Sequence, residues 1–169
     1  MIKQINANEL YFAKGHESVI IPNKRDEDAG YDIYANFNED FIIIEPNTTK
    51  LIPTRLYCAF SSEYVMVLKE RGSTGVKGLG QRAGIIDSGF RNEIKVPLTN
   101  TNLKPIIILK KQFKDIFNEE EYMIYPYEKA VCQALMMLVP KMDIEEISVE
   151  ALQAIPSKRG LGMLGSSGK

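Results

Sequence analysis

Cysteine, histidine and net charge are all scarce in this chain, and each scarcity removes a class of protein. The two cysteines, Cys58 and Cys132, lie far apart with no companion Cys or His at metal-ligand spacing. That excludes a disulfide framework, and both read as small buried hydrophobes in a reducing compartment. The single histidine, His16, sits between polar neighbours and reads as a surface residue, not a catalyst. Lys and Arg number 21 against 22 acids, a formal net charge of −1. Such a balance argues against a protein that coats nucleic acid, while permitting a local basic pocket. No apolar run approaches the length of a membrane span, and the opening MIKQINANEL lacks the apolar core of a leader peptide. The expectation is a cytoplasmic protein that engages neither membrane nor nucleic acid.

What is present suits one well-cored domain: 169 residues, 44% of them hydrophobic and 25% charged. Short β-branched segments recur with turn residues between them. They are residues 9–13, 19–22, 31–35, 41–45, 51–53, 56–60, 64–68 and 106–109. That rhythm predicts an all-β sandwich, jelly roll or barrel. Within 31–35, Tyr31, Ile33 and Ala35 alternate with Asp32 and Tyr34, so Asp32 points away from its apolar neighbours. One stretch breaks the pattern: in residues 110–121, Phe113, Ile116 and Phe117 share helical spacing, predicting a short helix or a decorated loop. The run 134–139 is apolar on both faces and calls for cover on both sides, such as a subunit interface offers. Residues 144–153 suit a last strand or a helical turn. From Pro156 the chain turns to glycine, serine and basic residues, a tail that cannot bury enough surface to order itself. A β domain over 1–155 and a flexible arm over 156–169 follow.

The chemistry concentrates between Glu70 and Val96. Arg71-Gly72-Ser73-Thr74-Gly75 offers backbone N–H groups that can approach an anion closely, with a planar fork of donors from Arg71. Asp87 opens a turn after the apolar Gly84-Ile85-Ile86, and a carboxylate there is a candidate general base. Arg159 precedes a glycine-spaced run that could wrap an anion.

In order, DAGYDIYA (28–35), RGSTG (71–75), GIIDSGF (84–90), the segment ending Cys132-Gln133, and RGLGMLGSSG (159–168) resemble the five motifs of the homotrimeric dUTPase family. The resemblance runs from about Asp28 to the last residues. It implies a distorted jelly-roll (β-clip) subunit, three of which share active sites at their boundaries, each closed by the C-terminal tail. The implied reaction is Mg2+-assisted hydrolysis of dUTP to dUMP and pyrophosphate. By motif position, Asp87 would activate the attacking water. Asp32 would hold water ligands of the metal. Arg71, Gly72, Ser73 and Gln133 would bind phosphates, and Phe90 would pack under the deoxyribose and exclude a 2′-hydroxyl. A hairpin of Gln81 to Ile86 (with Gly84 and Ile85) against Ile94 and Lys95 would read uracil. Arg159, Leu164, Gly165 and Ser166 of the tail would cover the nucleotide, with Arg159 on the γ-phosphate.

Three positions depart from the family pattern. Gly72 stands where Ser is frequent, Leu164 where Phe usually stacks on the base, and Ala130 where a basic residue precedes Gln133 by three. Leu164 implies looser tail closure. Two alternatives accompany the main reading. One is a dCTP deaminase of the same fold, alone or bifunctional, with Glu93 as the acid at the pyrimidine. The other is an interaction role, the 110–121 excursion meeting a regulatory protein as in some phage-type members.

Overall fold

The computed structural model describes residues 4–162. Twelve strands dominate the body of the chain, which extends to Val139. They are β1 (Leu10–Lys14), β2 (Tyr31–Tyr34), β3 (Phe41–Ile44), β4 (Thr49–Ile52), β5 (Leu56–Phe60) and β6 (Tyr64–Lys69). There follow β7 (Leu79–Gln81), β8 (Ile85–Ile86), β9 (Val96–Asn100), β10 (Ile106–Leu109), β11 (Met123–Pro126) and β12 (Ala130–Leu138). They form four small sheets in the orders β1-β5, β11-β10-β3, β2-β12-β6-β8 and β4-β9-β7. None closes into a barrel. The architecture is the expected all-β, distorted jelly-roll type. A single helical turn, α1 (Gly72–Gly75), follows β6. Among the described residues no helix is long and apolar enough to cross a membrane.

The strands form where alternation predicts them because one face of each meets the core. In β5, Leu56, Cys58 and Phe60 are buried while Tyr57 and Ala59 are less so. In β9, Val96 and Leu98 point inward on the same two-residue period. Strand β10 is buried at all four positions, covered on both faces. Ile33, Ile44, Ile52, Leu56, Met66, Leu68, Leu98 and Ile106 are among the side chains that form one continuous cluster. Burying a side chain of this size contributes about 1.5–3 kcal/mol relative to exposure.

Four expectations are corrected or resolved. Residues 19–22 make no ladder: Val19 is buried, but Ile20 and Ile21 lie exposed and the segment passes without a strand partner. The excursion holds a 3-10 helix at Lys111–Ile116 with none of its residues buried. Its anchor is Phe117, edge-on to both Phe41 (4.8 Å) and Tyr122 (5.4 Å), whereas Ile116 is exposed. In β12 the apolar run leaves cover at its end, with Met137, Leu138 and Val139 exposed within the single chain. The second unit begins at Pro140 and contains α2 (Val149–Ala154), so the helical option for 144–153 holds. Ser148 caps it, its Oγ accepting from the Ala151 N–H at 3.1 Å.

Candidate active site

Strand pairing assembles the first half of the site. Gln133 on β12 stands opposite Asp32 on β2 and opposite Lys69 on β6, so three residues from distant stretches form one cross-strand row. Directly opposed residues share a face of the sheet. Two residues past the end of β6, α1 turns the chain so that Arg71 returns to this row. Its Nε meets Asp32 Oδ1 at 2.9 Å, each side chain being about a third exposed. Gln133 Nε2 donates to the Glu70 carbonyl at 3.1 Å. Gly30 makes room for Gln133: a Cβ there would stand 2.7 Å from Gln133 Oε1 and 3.0 Å from its Cβ.

Asp32, Arg71 and Gln133 line a cavity of about 780 Å3, with Gly72, Ser73 and Leu135. Its opposite wall is the loop from Asn23 to Gly30. Sequence reasoning gave Asn23 to Glu27 of that loop no role and took Asp28 to Gly30 only as part of the first motif. The available signal was Arg25 three residues before Asp28, a spacing that the structure turns into an ion pair at 2.8 Å. The Arg25 side-chain hydrogen bond holds the Asp28 carboxyl below its usual range. The Asp32 N–H ties the loop to β2 by donating to the Asn23 carbonyl at 3.3 Å. Lys24, Arg25 and Arg71 line the cavity together with Glu27, Asp28 and Asp32. Three bases less three acids give no net charge. Such a wall suits an anion that arrives with a cation better than a bare polyanion.

Local structure explains the phosphate-type loop. The Arg71 carbonyl accepts from Thr74 Oγ1 (2.8 Å) and from the Thr74 and Gly75 N–H groups, so a buried Thr74 pins the turn. The first N–H groups of such a turn have no partner within it. A Cβ at Gly72 would meet nothing within 4 Å, so a serine would fit at this position and packing does not impose the glycine.

Asp87 and Phe90 form a second, separate half. They follow β8, whose Ile85 and Ile86 pair with Val67 and Met66 of β6. The Phe90 N–H donates to the Asp87 carbonyl at 3.0 Å, and Arg91 Nη1 donates to the Ser88 and Phe90 carbonyls at 2.5 and 2.9 Å. Asp87 is exposed, and neither it nor Phe90 lines the cavity. β8 is three strand spacings from β2, roughly 14 Å, and the register places Asp87 about 13 Å along β6 from Lys69. The two halves therefore lie on the order of 20 Å apart within one chain.

The expected hairpin takes a different form. Its paired arms are β7 and β9, with Gln81 opposite Leu98 and the Arg82 N–H donating to the Pro97 carbonyl at 2.9 Å. Ile85 and Ile86 leave those arms and join β6, while the Ile94 N–H donates to Leu56. Gly84 makes this departure possible. It adopts φ +102°, and a Cβ there would come within 2.6 Å of the Leu68 carbonyl, which only glycine avoids. The Gln81 amide packs beside Gly84 and donates to the Arg82 carbonyl. Lys95 is exposed, its Nζ 3.8 Å from Glu93.

Glu93 has a structural job. Its Oε1 accepts from the Thr54 and Arg55 N–H groups at 3.1 and 2.9 Å, holding a bend in which Arg55 has φ +50°. Both cysteines are free and buried. Burial pushes the Cys58 thiol up to about 11 and Cys132 higher still. Arg159 belongs to the second unit, where its N–H donates to Ser157 Oγ (3.2 Å) and its Nε to the Gly162 carbonyl (3.3 Å). Leu164, Gly165 and Ser166 lie outside the described residues.

Comparison with known proteins adds four findings. The family model described as dUTPase matches residues 16–112. The deoxyuridine 5′-triphosphate nucleotidohydrolase of Neisseria meningitidis serogroup A is 32% identical over 145 residues, covering 83% of this chain and 81% of that protein. The Pol polyprotein of caprine arthritis encephalitis virus is 33% identical over 101 residues, 60% of this chain but only 9% of the polyprotein. Among solved structures, the dUTPase of Staphylococcus bacteriophage 80alpha with dUPNHPP superposes with a TM-score of 0.74 at 21% identity. That match covers 96% of this chain and 99% of that one.

Proposed function

The chain belongs to the dUTPase family, and from that premise we propose that it hydrolyses dUTP to dUMP and pyrophosphate at sites shared between copies. One observation carries the shared-site reading: in one chain the candidate base lies roughly 16 Å from Gln133 and on the order of 20 Å from Asp32. A general base acts within about 2.6–3.2 Å of the proton it takes. Asp87 of one copy must then serve the cavity of another. A homotrimer satisfies this, and the exposed Met137-Leu138-Val139 end of β12 is an apolar surface suited to such a contact.

In this reading the triphosphate enters the cavity. Arg71 and the first backbone N–H groups of α1, with Ser73 and Gln133, hold its oxygens. Asp87 takes the proton from a water attacking the α-phosphorus. Phe90, more than a third exposed after its turn, packs under the deoxyribose and leaves no place for a 2′-hydroxyl. β8 ends its sheet, so the outward backbone groups of Ile85 and Ile86 are free to pair with the uracil edge. Arg159 and Leu164 would close the tail over the nucleotide, excluding water.

The residues also fit Mg2+. Mg2+ is usually held by one or two carboxylates, waters and substrate phosphates. The cavity offers Asp32 beside the phosphate donors, and no cluster of three candidate ligands occurs among the described residues. Asp32 would hold such an ion through water, and its chemistry there is neutralisation of charge on the phosphates. The deaminase alternative gains no support, because Glu93 is engaged by two backbone N–H groups.

The test is pyrophosphate release from dUTP, dCTP, dTTP and UTP. Activity should be confined to dUTP and fall about 10²–10⁴-fold in Asp87→Asn. Co-refolding Asp87→Asn with Arg71→Ala should restore about a quarter of the sites in randomly mixed trimers. A mixture no more active than its parents would disprove sharing, and ammonia from dCTP would restore the deaminase.

A further inference from the structure

We infer that Tyr125 is a positioning residue for Arg71, acting through the carbonyl of Ala130 and serving in this chain where a basic residue at position 130 is missing. The inference rests on the reading of Arg71 as a phosphate-binding residue. Tyr125 lies on β11, in a sheet separate from the one that carries Asp32 and Gln133. It is 3% exposed, and its hydroxyl donates to the Ala130 carbonyl at 2.6 Å. The same carbonyl is the second acceptor of Arg71, whose Nη1 stands 3.5 Å away while its Nε pairs with Asp32. A carbonyl oxygen has two lone pairs, so both donors can use it together.

The backbone at Ala130 is shaped for this role. β12 shifts register against β2 between Ala130 and Cys132, an irregularity that redirects one peptide of an otherwise regular ladder. The carbonyl at this irregularity accepts from Tyr125, a buried side chain of the core. A phenol buried this deeply costs free energy unless its hydroxyl is paired, so its presence opposite that carbonyl is not packing alone. The proximity of Arg71 acts on the phenol as well, opposing the upward push of burial on its ionisation. Tyr125 thereby fixes the direction of the Ala130 carbonyl. That carbonyl and Asp32 together fix the plane of the guanidinium before the triphosphate arrives, so less ordering remains to be done on binding.

The test is a double-mutant cycle on the full chain, reading KM and kcat for dUTP with Mg2+. Tyr125→Phe deletes only the hydroxyl. It should raise KM about three- to tenfold with kcat within about twofold, the range set by one ordinary hydrogen bond. Arg71→Ala should raise KM more. In the Arg71→Ala background Tyr125→Phe should change KM no further, since there is no guanidinium left to position. Equal effects of Tyr125→Phe in both backgrounds would overturn the inference while leaving Arg71 its role. An unchanged KM in Arg71→Ala would overturn the phosphate reading itself. If Tyr125→Phe does not melt cooperatively, Tyr125→Leu, which also lacks the hydroxyl, carries the same cycle.

Discussion

Replacing Gly30 by alanine should loosen the phosphate wall, and the geometry sets the size of the effect. A Cβ at position 30 would stand 2.7 Å from Gln133 Oε1, 3.1 Å from Cδ and 3.0 Å from Cβ. The first two atoms can swing aside, but Gln133 Cβ is fixed by a strand paired on both edges. Gly30 does not occupy the left-handed region, so the penalty comes from these contacts and not from backbone strain. Forced packing of this kind costs about 1–3 kcal/mol. If Gln133 rotates, the bond from Nε2 to the Glu70 carbonyl is lost, another ~0.5–1.5 kcal/mol. For a chain of this size the sum lowers Tm by about 3–18 °C. The assay is a thermal melt paired with KM for dUTP, which should rise as Gln133 leaves its place. In a Gln133→Ala background two of the three contacts vanish, so the penalty should shrink. An unchanged Tm and KM, or the same penalty in both backgrounds, would refute the reasoning.

Two other expectations follow from burial and bonding. Glu93→Ala should cost about 2–4 kcal/mol, because it orphans two backbone donors at the Thr54–Arg55 bend; denaturant unfolding at unchanged slope would measure it. A loss below the error of that method would show the bend holds itself. The Cys58 thiol is raised by burial from its ordinary 9.0 to about 11, so the fold favours its neutral form. That contribution is complete below pH 9 and declines as pH rises through 9 to 11. Cys58→Ala should therefore show a smaller alkaline loss of stability across that window than the parent, and an identical pH profile would remove Cys58 from the account.

Much of the fold was legible in the sequence, since the two-residue alternation of Ile33 or Leu56 with its neighbours is a local property of a half-buried strand. The motif residues were legible for a different reason: Arg71, Asp87 and Gln133 sit in short strings whose order resembles a family. Residues 19–22 misled because an apolar, β-branched run predicts an extended chain but not a partner for it. The hairpin misled because glycine at 84 announces a turn without saying which strand receives Ile85 and Ile86. The loop from Asn23 to Gly30 had charges and no visible target until β2 brought it across from Arg71.

The sequence by itself determined an all-β body and the side chains available for chemistry, because periodicity and residue type are encoded within a few neighbouring positions. Only the tertiary structure decided which of them meet. The row of Asp32, Gln133 and Lys69 depends on register between strands about 60 and 100 residues apart in the chain, and one residue of slip would turn a side chain to the other face. The same pairing holds Asp87 away from Arg71, since sheet geometry, not sequence distance, sets how far apart two positions lie.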